Sequence, residues 1–238
     1  MLRSLRFVAL FGGLLLSASV LAADIDAASY GYPLTNPFEA TIATTPPDLR
    51  PELPLDEDIN QSDRSVTMRP EREFNLPDNF WPVKKLTYRI ATQDHAAPLI
   101  FLISGTGARY DSTLNEYLKK LYYKAGYHVV QLSSPTSFDF MSAASRFATP
   151  GVTKEDAEDM YRVMQAVRAQ NPKLPVTDYF LTGYSLGALD AAFVAHLDET
   201  RRSFNFKKVL LLNPPVNLYT SVTNLDKLVQ TEVKGINN

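Results

Sequence analysis

The 238-residue sequence contains no cysteine, only three histidines and a single tryptophan. Without cysteine there is no disulfide framework, no thiol nucleophile, no thiolate metal site and no lipid attached through a leader cysteine. The 24 basic and 26 acidic residues nearly cancel, so the chain lacks the excess positive charge that nucleic-acid binding requires. With 45% apolar residues it can bury one sizeable core, which excludes disordered and collagen-like classes.

A long apolar run occurs at the N-terminus. Residues 1–23 begin with Arg3 and Arg6, continue with an apolar stretch from Phe7 to Leu16, and end in small residues. This order is typical of a secretory signal peptide, so we expect a protein exported to the periplasm or secreted. A membrane anchor is the alternative, but glycine and serine dilute the run. We expect no stable membrane span after the leader is removed.

Residues 24–64 are rich in proline and have little apolar periodicity; the prolines are Pro33, Pro37, Pro46, Pro47, Pro51 and Pro54. The pattern predicts an extended arm that either lies over the core or is mobile. Within it, four residues have the spacing of a calcium loop: Asp56, Asp58, Asn60 and Ser62. Gln61 stands where the tight-turn glycine belongs and Thr67 where the bidentate Glu belongs, so we favour a solvated acidic loop and expect no metal site.

From residue 65 to residue 238, segments of strand and helical periodicity alternate. The predicted strands include Leu86–Ile90, Pro98–Ile103, Tyr127–Leu132, the run that begins at Asp178, and Lys207–Asn213. Helices are predicted after Asp111 or Ser112, from Thr153 with Asp156 as a capping box, after Ser185, and within Val216–Gln230. Alternation of this kind predicts an α/β core built on a mostly parallel, doubly wound sheet.

One corner of this core carries chemistry. Gly183-Tyr184-Ser185-Leu186-Gly187 joins a strand to a helix. A serine at so sharp a turn needs strained backbone angles, and small residues two places either side let the neighbouring backbones approach. The strain lifts the Ser185 hydroxyl clear of the sheet, and the helix N-terminus favours negative charge beside it.

The corner resembles the nucleophile elbow of the α/β-hydrolase superfamily. The resemblance implies a three-layer αβα fold, an esterase- or lipase-like activity on a small-molecule or lipid-like acyl substrate, Ser185 as nucleophile, and no cofactor. It also implies an oxyanion hole formed by the N–H groups of Leu186 and Thr106. The latter lies in Ser104-Gly105-Thr106-Gly107, where the superfamily often has His-Gly-x-Gly. Here Ser104 replaces the histidine.

These glycines have two other interpretations. The corner could be a Gly/Ser-rich turn of an ordinary doubly wound sheet. Gly105-Thr106-Gly107 could also begin a dinucleotide-binding motif. We reject the second interpretation because Tyr110 occupies the third glycine position, and the next strand ends in Gln131-Leu132-Ser133 without an acidic residue for a ribose.

Catalysis by Ser185 needs a base, and no histidine suits the role. His196 lies eleven residues further along one helix, about 16 Å away. His95 and His128 precede or begin parallel strands, at the opposite end of the sheet.

The chain is therefore either the front part of a longer hydrolase, inactive by itself, or a non-catalytic exported binding protein with a hydrolase-like fold. We expect the first, because Val209–Leu212 is apolar on both faces and would otherwise be an unprotected C-terminal sheet edge.

Overall fold

The computed structural model describes residues 50–68 and 84–233, together with positions 36, 39, 45 and 48. The chain divides into two compact units, Met1–Pro51 and Glu52–Asn238. In the first unit, the Glu39 N–H donates to the Asn36 side-chain oxygen at 3.3 Å. The predicted signal peptide and most of the predicted arm lie outside the described residues.

The second unit contains one six-stranded sheet in the order β1-β2-β4-β3-β5-β6. The strands are β1 (Gln61–Val66), β2 (Leu86–Ala91), β3 (Ala97–Ile103), β4 (His128–Leu132), β5 (Val176–Tyr184) and β6 (Lys208–Leu212). β1 and β2 run antiparallel to their neighbours, whereas β4, β3, β5 and β6 are parallel. The predicted mostly parallel α/β sheet is confirmed.

The described part of the chain contains five α-helices: α1 (Thr113–Lys124), α2 (Phe138–Ala143), α3 (Thr153–Gln170), α4 (Leu186–Arg201) and α5 (Leu218–Val233). Strand β3 shows how they are arranged, because successive strand side chains point to opposite faces. Phe101 and Ile103 belong to a large apolar core shared with α2, α3 and α4. Ile100 belongs to a smaller core, against which Tyr122 and Tyr123 of α1 pack. Helices therefore cover both faces of the sheet.

Helix α3 begins at Thr153, as predicted, but the expected capping box is absent. Val152 is the N-cap residue and no side chain caps the helix. The Asp156 carboxylate instead accepts the N–H of Gly151 at 2.7 Å. Gly151 has a φ of 108°, a value that glycine adopts readily, and this turn brings its N–H over Asp156.

Helix α2 lies in a segment for which the sequence predicted no regular structure. Phe140 is fully buried in the large core, whereas Phe147 after the helix is 59% exposed. The Arg146 guanidinium lies 5.4 Å from the ring centre of Phe147. Of these two aromatic residues, Phe140 therefore packs in the core and Phe147 lies at the surface.

Ile59 and Val66 are buried among core residues, and the boundary predicted after residue 64 falls inside β1. Lys119 of α1 has no exposed surface and donates to the Gln61 side-chain oxygen at 2.6 Å. It also donates to Glu116 at 2.5 Å. Sequence periodicity missed β1 because Val66 is the one residue of this edge strand that is buried.

The opposite edge of the sheet is apolar and uncovered by the described residues. Leu210 and Leu211 of β6 are 49% and 37% exposed. Helix α5 adds an exposed stripe at helical spacing, formed by Leu218, Val222, Leu225 and Val229. We call these six residues the β6–α5 apolar surface. None of the described helices is both long and apolar enough to cross a membrane.

Candidate active site

Ser185 lies at a strained corner between β5 and α4. Its φ of 54° and ψ of −126° are values that residues other than glycine rarely adopt. Its N–H donates to the carbonyl of Leu212, at the end of β6, at 2.9 Å. Its side chain is exposed, at the carboxyl end of the parallel strands and the N-terminus of α4.

The two glycines flanking the corner are required by close backbone contact. A Cβ atom on Gly183 would lie 2.1 Å from the carbonyl oxygen of Gly187. A Cβ atom on Gly187 would lie 2.3 Å from the carbonyl oxygen of Ser104, which follows β3. Since neither distance is tolerable for a side chain, the motif is fixed by packing in this structure.

The loop after β3 lies directly against the corner. A Cβ atom on Gly105 would lie 2.6 Å from the Tyr184 ring and 3.2 Å from Cβ of Ser185. The Gly107 N–H donates to the Thr136 hydroxyl at 2.8 Å. This bond and the contact with the corner hold the loop beside Ser185.

Two backbone N–H groups near Ser185 have no hydrogen-bond partner within the described ranges: those of Leu186 and Thr106. Leu186 is the first residue of α4, so its N–H is one of those that the helix itself cannot satisfy. Thr106 is exposed in the loop after β3. The structure thus brings the three residues singled out from the sequence to one corner, in an arrangement that could hold a negatively charged oxygen.

The three histidines lie elsewhere. His196 shares helix α4 with the corner but pairs with Glu199 at 3.1 Å on an exposed turn. His95 precedes β3 and contacts the Asp94 carboxylate at 2.7 Å.

His128 is buried at the start of β4, at the end of the sheet opposite Ser185. Its Nδ1 accepts the Gln93 N–H at 3.0 Å, and burial lowers its pKa.

Two buried carboxyl groups lie on the helices that support the corner. Asp190, in the second turn of α4, is 2% exposed, and its Oδ2 has no partner among the described residues. Burial, with a smaller contribution from the charge of Asp156, raises the pKa of Asp190 to about 8. Burial also raises the pKa of Asp156. Asp190 is therefore largely protonated at neutral pH.

Two further features of the site were not predicted from the sequence. Asn213 has a φ of 50° and follows Leu212, which pairs with Tyr184 across the parallel strands. A second left-handed residue therefore stands next to Ser185. Behind the loop, Ser104 and Asn115 are fully buried polar residues. A sequence pattern cannot identify such contacts, because they join residues on different elements.

Among the residues that the structure describes, no three histidine or acidic side chains converge in a way that could hold a metal ion. The Asp56 carboxylate, part of the rejected calcium loop, instead lies 3.2 Å from the Lys120 ammonium and 3.4 Å from that of Lys119.

Solved structures share this architecture. An esterase from Pyrococcus furiosus superposes with a TM-score of 0.53 at 16% sequence identity, covering 74% of this chain and 57% of the esterase. Brefeldin A esterase, a bacterial homologue of human hormone-sensitive lipase, gives 0.50 at 16% identity, covering 76% and 49%. The chain has the α/β-hydrolase fold.

No protein-family model matches the sequence, and neither does any curated protein. The chain spans about half the length of the two esterases described above. At this level of identity the likeness concerns the fold, and the site must be argued from the residues of this chain.

Proposed function

We propose that this chain is the front part of an exported serine hydrolase that cleaves an ester or related acyl bond. The observation that carries the proposal is the exposed Ser185 at a left-handed corner, with the unpartnered N–H groups of Leu186 and Thr106 beside it. A strained residue in this setting is typical of a reactive group. The esterases of the same fold favour an ester as substrate.

In the proposed reaction, Ser185 Oγ attacks the carbonyl carbon of the ester while its proton passes to a histidine. The N–H groups of Leu186 and Thr106 stabilise the negative charge that develops on the carbonyl oxygen. The tetrahedral intermediate collapses to an acyl-serine, and the alcohol leaves with the proton that the histidine returns. Water then attacks the acyl group by the same steps and regenerates Ser185.

We propose that the histidine and its orienting acid are supplied by polypeptide that follows Asn238, so that residues 1–238 alone are inactive. The positions of His95, His128 and His196 support this, because none of them lies near Ser185. The β6–α5 apolar surface supports it as well, because it extends the sheet edge at which further strands would pair.

Export rests on the leader-like sequence of residues 1–23, and we propose a periplasmic or secreted location. The proposed partner is a small-molecule or lipid-like acyl compound. The site as described uses side chains and backbone groups of the chain, and no cofactor enters the proposed reaction.

A binding protein without catalytic activity is the second candidate. It is favoured by the absence of a base near Ser185 in the described part of the chain. Such a protein would use the same corner to hold an acyl compound without cleaving it.

A fluorophosphonate probe separates the two candidates. We expect the product of the complete reading frame to gain one phosphonyl group on Ser185, identified by mass spectrometry of the labelled peptide. Ser185→Ala should abolish the labelling, whereas Ser203→Ala, at an exposed serine after α4, should retain it. Labelling that survives Ser185→Ala would contradict the role of Ser185, and an unlabelled wild-type protein would favour the binding protein.

A further inference from the structure

Two fully buried polar side chains lie behind the loop that carries Thr106. Ser104 follows β3, and Asn115 is in the first turn of α1; neither has exposed surface. Burying such groups is unfavourable unless hydrogen bonds compensate. Their contacts therefore indicate what these residues do for the loop.

Asn115 joins the two ends of the loop. Its side-chain Nδ2 donates to Ser104 Oγ at one end and to the carbonyl of Tyr110 at the other, the latter at 2.9 Å. Its Oδ1 has no partner among the described residues. The Asn115 amide therefore acts only as a donor, and its contacts with Ser104 and Tyr110 require an N–H group at this position.

Ser104 connects Asn115 to the sheet. Its hydroxyl lies 2.8 Å from the carbonyl of Leu132, at the end of β4, and 3.0 Å from that of Arg109. A hydroxyl has one proton, which one of these carbonyls accepts, while its oxygen accepts from Asn115. Two side chains thus tie the loop to β4 and α1.

The Ser104–Asn115 contact is connected to the corner at Ser185 through one residue, Gly105. Gly105, directly after Ser104, lies so close to the corner that an added Cβ would be 3.2 Å from Cβ of Ser185. Thr106 follows it. A shift at Ser104 therefore moves the Thr106 N–H relative to the Ser185 hydroxyl.

We infer that Asn115 is a positioning residue that acts through Ser104 to hold the Thr106 N–H where the oxyanion forms. The inference rests on the proposed function. The buried Ser104–Asn115 pair braces the base of the loop, in addition to the bond from the Gly107 N–H to Thr136. Because misplacement by about 1 Å can cost on the order of 100-fold in rate, loss of the pair should slow acyl transfer.

The test measures phosphonylation of Ser185 in the product of the complete reading frame, separating reversible probe binding from the rate of bond formation. We expect Asn115→Asp to lower that rate by roughly 10- to 100-fold with probe binding unchanged. The substitution removes both N–H donors and places a carboxylate against two acceptors. Asn205→Asp is the matched control, because exposed Asn205 also donates through Nδ2 to a carbonyl, that of Arg202 at 3.1 Å.

A second variant covers the case in which Asn115→Asp does not fold. Ser104→Ala removes the hydroxyl that links Asn115 to β4 and should slow phosphonylation to a similar degree. If the two residues act as one unit, the double variant Ser104→Ala/Asn115→Ala should react no more slowly than the slower of the single variants Ser104→Ala and Asn115→Ala.

The outcomes distinguish this inference from the proposed function. An unlabelled wild-type protein contradicts the proposed function itself. A labelled wild type with Asn115→Asp and Ser104→Ala at the wild-type rate overturns the inference alone. So does a rate that falls only in proportion to the unfolded fraction, measured by circular dichroism on the same samples.

Discussion

Ser185 combines backbone strain with exposure, and the strain can be measured. Its φ of 54° and ψ of −126° belong to a region in which residues other than glycine lose about 1–3 kcal/mol. Ser185→Gly should raise the free energy of unfolding by about 1 kcal/mol relative to Ser185→Ala, because glycine tolerates these angles but loses more entropy on folding. Both variants should lose fluorophosphonate labelling.

Urea unfolding of the two variants, followed by circular dichroism, tests this prediction. Equal stabilities, or a less stable glycine variant, would show that the corner is not strained. Comparing the two variants separates the chemical role of Ser185 from its effect on stability. Both substitutions remove the hydroxyl, but only glycine relieves the backbone strain.

Asp190 should make the stability of the protein depend on pH. Its carboxyl has a pKa of about 8 in the fold and about 4 in an unfolded chain. The raised value means that its contribution is fully present below about pH 4 and is lost as pH rises towards 8. The expected slope is about 1.4 kcal/mol per pH unit over that window, before other groups are counted.

Asp190→Asn should remove most of this slope, leaving the variant close to wild type near pH 4 and more stable than wild type at pH 8. Denaturant titrations at several pH values measure the effect. Asp178→Asn, at a more exposed position on β5, is the control and should retain the wild-type slope. A wild-type slope that persists in Asp190→Asn would mean that Asp190 is ionised in the fold.

At the scale of elements, the two edges of the sheet differ. β1 carries Gln, Ser, Asp and Arg, which discourage pairing with another chain, whereas β6 is Lys-Val-Leu-Leu-Leu. Residues 1–238 expressed alone should therefore self-associate through the β6–α5 apolar surface. Leu210→Lys with Leu225→Lys should shift the chain towards monomer, since each adds a charge to this surface.

Sedimentation equilibrium measures the mass of the associated species and so tests this prediction directly. Leu114→Lys is the control, because Leu114 is also exposed (44%) but lies on α1. A wild-type chain that is monomeric at all concentrations, or a double variant that associates as strongly as wild type, would contradict self-association through the β6–α5 apolar surface.

Periodicity identified most elements because their buried faces are strongly apolar. β3 and α3 are examples, as is the strand–corner–helix unit, which Gly183 and Gly187 fix by close contact. β1 was not predicted because it is a polar strand at the edge of the sheet. α2 was not predicted because its six residues are too few to show a helical period.

Within the site, the resemblance to the α/β-hydrolase superfamily singled out Ser185, Leu186 and Thr106, and the structure brings these three residues to one corner. The buried Ser104–Asn115 contact could not be predicted, since it joins the end of a strand to a separate helix. The raised pKa of Asp190 also depends on its burial, with a smaller contribution from the charge of Asp156 on another helix. These features arise from tertiary packing, which local sequence does not encode.

At the scale of the whole molecule, an α/β-hydrolase fold carries a corner at which Ser185 meets the unpartnered N–H groups of Leu186 and Thr106, and no histidine of the described residues lies beside it. The chain covers about half of the length of esterases that share the fold. These two observations support the proposal that residues 1–238 supply the nucleophile of an ester hydrolase and that its base comes from polypeptide beyond them.

The most direct measurement of this claim compares hydrolysis of a short-chain p-nitrophenyl ester by residues 1–238 and by the product of the complete reading frame. We expect turnover by the complete product that Ser185→Ala abolishes, and a rate for residues 1–238 lower by at least about 1,000-fold. Ser185-dependent turnover by monomeric residues 1–238, at the rate of the complete product, would contradict it.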